Sequence, residues 1–176
     1  GDTVRMMMAA DPEADWTRHL QLRKHLKRQA GNGDQTRKSG RILSSTVLFE
    51  AGRTHATVDV EAATTKLESM KRQRNGTMVA MLALMPMRRR AFGQLEIGTS
   101  LFVGGDRVVV ALSGDMTKNG LPWEAEVPKA VEPLLRRYVD EVRPWFMARG
   151  HERHSRLWVK LRGTPFELNH FGNQIA

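Results

Sequence analysis

The apolar period of this chain changes twice, and that pattern limits its fold more than any other feature. From Leu43 to about Gly98 apolar residues recur at helical spacing, from Ser100 to Val127 they alternate, and after Pro128 helical spacing returns. Strands grouped between helices, without the strand–helix alternation of a parallel sheet, predict an α+β fold that is mainly helical with a small three-stranded antiparallel sheet.

The strand-like runs are 100–103, 107–113 and 122–127; "GGD" and "DMTKNG" between them have hairpin-turn chemistry. Upstream, "SSTVLFEAGRTHAT" predicts a capped short helix ending near Gly52, and "DVEAATTKLESMKRQR" a second helix. "NGTMVAMLALM" reads as a third, apolar nearly all round and therefore buried. A fourth, "RRRAFGQLEIG", begins after Pro86, with Phe92 and Leu95 turned inward and Gly98 at its end. Downstream come the helix "KAVEPLLRRYVDEVRPWFMAR", an extended "RLWVK", a turn at "RGTP", and one more helix beginning in "FELNHFGNQIA".

At the other end, Asp11 is placed to cap a helix running from about Pro12 to Gln29. The glycine-rich "GNGDQTRKSGR" (31–41) interrupts it as a basic linker or loop. Residues 1–40 therefore form an N-terminal helix with its linker, and 41–176 the main domain.

Lys and Arg number 28 against 19 Asp and Glu, a net charge of +9, which suits a polyanionic partner, above all nucleic acid. With no cysteine there are no disulfides or thiolate metal sites. The longest apolar stretch, 78–87, is too short for a bilayer and contains Pro86, so no membrane partner is expected. No secretory pattern is visible near Gly1, and the cytoplasm or nucleoid is the expected location.

Against that background Arg88, Arg89 and Arg90, directly behind the buried-helix pattern, read either as a solvated helix start beside the core or as phosphate contacts. The stretch "RNGTMVAMLALMPMRRRAFGQL", with Leu95 seven residues after Arg88, is similar to the first catalytic box of the tyrosine recombinases, the phage-integrase family. "TKNGLPWEAEVP" (117–128) resembles that family's hairpin-turn lysine motif, and "RLWVKLRGTPFELNHFGNQI" its later "LF…GxP" stretch. The resemblance covers roughly Ser39 to Ala176. It implies the family's catalytic-domain core, and double-stranded DNA as partner, bound by a homo-oligomer. The activity would be site-specific recombination through a 3′-phosphotyrosine, with no metal or other cofactor.

By this register Arg88 would stabilise the phosphorane, because a fixed guanidinium meets two nonbridging oxygens and cannot lose its proton. Lys118 would give a proton to the leaving oxygen. Arg89 and Arg90, with Arg37, Lys38 and Arg41 of the basic tract, would contact the DNA backbone. The resemblance is incomplete. Ala91 stands where the family carries an acid, and no His-x-x-Arg box follows: His170 has Asn173 and His151 has His154 at that distance. Tyr138, the one tyrosine, precedes the nucleophile's place and fits a helix core with Leu134, Leu135 and Val142. The expectation is a catalytic domain without its C-terminal helices, which binds DNA without cutting it. A non-catalytic DNA-binding regulator derived from this fold, or a basic RNA-associated protein, has the same charge. "HERHSR" (151–156) reads as a basic surface loop rather than a metal site.

Overall fold

The computed structural model describes residues 2–30 and 42–166, and the chain divides into two compact units, residues 1–42 and 43–176. In the first unit α1 (Asp2–Ala10) and α2 (Thr17–Ala30) are joined by a short turn. The helix expected from Pro12 begins at Thr17 instead. Asp11 is not its cap, because it lies six residues before Thr17 and instead follows α1, its N–H donating to Met7 O at 2.9 Å. The Asp15 carboxylate does the capping, accepting the Thr17 N–H at 2.9 Å. None of the described side chains in this unit is buried, and Leu20, Leu22 and Leu26 are exposed on α2. Arg37, Lys38 and Arg41 lie outside the described residues, as does nearly all of the last expected helix.

The second unit begins with α3 (Ser45–Ala56), whose N-cap Ser44 Oγ accepts the Val47 N–H at 3.2 Å. It runs past Gly52 to Ala56, because Gly52 is a contact residue and not a stop. A Cβ there would come within 2.5 Å of Ala80 N, where α3 crosses α5 (Lys66–Leu84). A short α4 (Val58–Glu61) links them. The two helices expected over 59–85 are thus one brief turn and one long helix. Thr65 caps α5 through the Glu68 N–H at 3.2 Å, while Glu68 Oε2 returns to the Thr64 N–H and hydroxyl. Asn75-Gly76 does not interrupt α5: a Cβ on Gly76 would lie 2.4 Å from Ala56 N.

Helix α6 (Arg89–Gly93) is shorter than expected. Glu96 and Ile97 leave it for isolated bridges, and Gly98, at φ +84°, turns the chain toward the sheet. The sheet itself follows expectation. Strands β1 (Leu101–Val103), β2 (Val108–Leu112) and β3 (Trp123–Glu126) form an antiparallel meander in the order β1-β2-β3. Leu101 faces Val110 and Leu112 faces Trp123 across the ladders. The alternation in β2 buries Val108, Val110 and Leu112.

Helix α7 (Glu132–Arg137) continues through a π-helical turn (Tyr138–Val142) into α8 (Arg143–Met147). Pro144 explains the wide turn, since it has no N–H to offer and its ring would press on a carbonyl in the preceding turn. The Arg143 N–H reaches back to Tyr138 O. The core joins Met78, Met81, Leu95, Leu101, Val110, Leu135 and Phe146 around Trp158. The Trp158 ring lies 4.9 Å from Phe92 and 5.0 Å from Tyr138. Through Phe92 this core fixes α6, and through Leu112 it fixes the strand leading into the β2–β3 turn.

Candidate nucleic-acid interface

Helix α5 ends where Pro86 forbids another turn, with the Met85 N–H donating to Met81 O at 2.8 Å. Arg88 then adopts an extended backbone (φ −63°, ψ 141°) as the N-cap of α6, and its carbonyl accepts the Phe92 N–H at 2.9 Å. Ala91, Phe92 and Gly93 are buried while Arg88, Arg89 and Arg90 are all exposed. The apolar side of this single turn is anchored in the core, so the three cations are left in water. Arg90 Nε donates to Gln94 Oε1 at 3.3 Å. Arg88 and Arg89 make no side-chain hydrogen bond or ion pair among the described residues.

Lys118 stands on the β2–β3 turn. A 3-10 turn (Gly114–Met116) opens that loop, and Thr117 Oγ1 lies 2.9 Å from Gly114 O and 2.7 Å from Leu121 O. Gly120 closes it at φ +72°, with its carbonyl packed so tightly on Gly114 that a Cβ there would come within 2.3 Å. The loop is therefore braced from within. Lys118 is exposed and has no partner for its ammonium among the described residues.

Between α6 and this turn runs a groove of about 310 Å³. Arg90 and Gln94 line one wall, Ser113, Asp115 and Met116 the other, and Glu96, Thr99 and Arg156 lie between them. Arg156 is held by Glu96 Oε1 at 3.2 Å from its Nε and by Gln94 O at 2.8 Å from its Nη1. Ser155 Oγ donates to the other Glu96 oxygen at 2.9 Å. Arg90 lines this groove; Arg88, Arg89 and Lys118 do not, although Lys118 follows its far wall by two residues.

Several groups here were not legible as site residues. Glu96 and Arg156 are far apart in sequence and meet only through the bridge that pairs their backbones. Arg74 is another: it is buried in α5, with Nη1 donating to Val159 O at 2.9 Å and its guanidinium 5.1 Å and 5.0 Å from the Phe146 and Phe166 ring centres. Burial lowers its pKa from the ordinary arginine value. It belongs to the core and not to a surface site.

Tyr138 is wholly buried. Its hydroxyl donates to Leu157 O at 2.9 Å and accepts the Val159 N–H at 3.2 Å, and burial pushes its pKa upward. A side chain with no solvent access and both hydroxyl functions occupied cannot attack a phosphodiester. In "HERHSR", His154 Nε2 lies 3.0 Å from Gly163 O. No group of three or more His, Asp or Glu able to hold a metal occurs among the described residues. No helix among them is long and apolar enough to cross a membrane. No family model, curated protein or solved structure matches this chain.

Proposed function

We propose that this chain binds duplex DNA as part of a tyrosine-recombinase type of catalytic domain, with Arg88 and Lys118 directed at one strand's phosphates. The observation that carries the reading is the groove lined by Arg90, two residues after Arg88, and by Ser113, Asp115 and Met116 of the loop that leads to Lys118. The element order (a long helix, a cationic corner, a three-stranded meander, then helices) supports the same reading, as does the net charge of +9. In this role Arg88 meets the charge that gathers on nonbridging oxygens, and Lys118 serves as proton donor to a leaving oxygen.

Strand cleavage in this reading requires a tyrosine from outside these residues, because Tyr138 is enclosed. The chain by itself binds DNA and forms no phosphotyrosine. The burial of Tyr138 equally favours a second reading, a non-catalytic DNA-binding regulator derived from the same fold. The nucleoid would be the working compartment of either.

The test is fluorescence anisotropy with a labelled random-sequence duplex over a salt series, with single-stranded RNA of equal length as competitor. Binding that weakens steeply with salt supports the reading, as does preference for the duplex. Preference for the RNA would give the function to the RNA-associated alternative.

A further inference from the structure

We infer that the groove between α6 and the β2–β3 turn is a phosphate-binding slot, in which Arg90 and Arg156 hold one phosphate. This inference rests on the nucleic-acid reading above for the identity of the phosphate, a backbone diester next to the one met by Arg88. What points to the slot is its unused donors. Arg156 Nε is ion-paired with Glu96 and Nη1 donates to Gln94 O, which leaves Nη2 without a partner among the described residues. Arg90 uses only Nε, on Gln94 Oε1, so both of its terminal nitrogens are free in the same sense. Gln94 thus braces both guanidiniums, one through its side chain and one through its carbonyl.

The two acids in the groove play different parts. Glu96 Oε1 is ion-paired with Arg156 at 3.2 Å and Oε2 accepts the Ser155 hydroxyl at 2.9 Å, so the charge of this carboxylate is already offset within the groove. Asp115 makes no side-chain hydrogen bond or ion pair among the described residues and stands in the far wall as an uncompensated anion. It opposes an incoming phosphate. The groove's volume, about 310 Å³, is at the lower end of small-ligand pockets and admits a phosphate with its attached sugar. Guanidinium pairs suit phosphate because their forked donors match two of its oxygens at once.

The experiment compares R90A, D115N and R107A with the unaltered chain in the duplex salt series. Arg107 is exposed and does not line the groove, so R107A removes one charge without touching the slot. R90A should weaken binding about tenfold at low salt and reduce the slope of log K against log salt by ~0.9, one phosphate's worth. R107A should leave the slope unchanged, and D115N should tighten binding severalfold, but not when combined with R90A. Equal slopes for R90A and R107A would sink the slot while leaving DNA binding intact. A parallel titration with inorganic phosphate, followed by backbone amide shifts, separates the sources. If phosphate shifts Gln94 and Asp115 in the unaltered chain but not in R90A, and duplex does not bind, the slot serves a small anion and the nucleic-acid reading fails. If neither duplex nor phosphate binds, both fail.

Discussion

Tyr138 and Leu157 are joined inside the core by a hydrogen bond of 2.9 Å from the only phenol in the chain. The same oxygen accepts the Val159 N–H at 3.2 Å, so one side chain satisfies two backbone groups of the segment that carries Trp158. The segment is held against the π-helical turn by these bonds and by the ring contact at 5.0 Å.

Y138F removes both bonds and leaves a carbonyl and an amide unpaired in an apolar setting. The expected cost is ~1–3 kcal/mol of folding stability, read as a lower urea midpoint with an unchanged denaturant slope. DNA affinity measured well below the transition should not change.

The same residue sets an alkaline limit. Its folded-state pKa lies above the ordinary tyrosine value near 10 because burial disfavours the phenolate. The unfolded chain therefore releases this proton first. The contribution is fully present below about pH 10 and is lost as pH rises toward the folded value. Urea midpoints between pH 9 and 11 should fall for the unaltered chain, and by less for Y138F.

G76A tests the α3–α5 crossing. Alanine gains roughly 1 kcal/mol of helix propensity over glycine, but here its Cβ would lie 2.5 Å from Gly52 O and 2.4 Å from Ala56 N. These are backbone atoms, which cannot step aside as a flexible side chain would. The helices must separate, and the net effect should be a loss of ~1–3 kcal/mol, measured by thermal or urea unfolding.

R74A should be among the most damaging single changes. It leaves Val159 O without its donor and opens space between Phe146 and Phe166. A loss of ~3 kcal/mol or more is expected, and R74K should recover only part of it because the planar stacking is gone.

For the interface, R88A and K118A should each weaken duplex binding and each reduce the salt slope by ~0.9, since both groups are exposed and unpartnered among the described residues. Circular dichroism should show unchanged folding for both. If either variant keeps the full slope, that residue does not contact a phosphate.

Much of this protein was readable from local pattern. The alternation in 107–113 placed β2 because a half-buried strand exposes every second residue to the core, whatever it packs against. Thr-Lys-Asn-Gly marked a turn because Gly120 can take φ +72° and its neighbours cannot do so cheaply. The apolar fill of 78–85 marked a buried helix, and the burial of Met78, Ala80, Met81 and Met85 accords with it.

Tertiary contact decided the rest, and the reason is the same at each site. Gly52 and Gly76 read as interruptions, yet they permit a close helix crossing, and no single segment contains the information that another backbone will arrive there. Leu95 to Gly98 looked helical until Glu96 found Arg156, sixty residues away, and exchanged helical bonds for a bridge. Local pattern was enough to leave three arginines exposed beside a core, because the apolar run before them and Phe92 after them are buried. Which of the three would face a groove, and with what across it, depended on how α6 docks against the sheet, and that docking selected Arg90 and brought Arg156 to it.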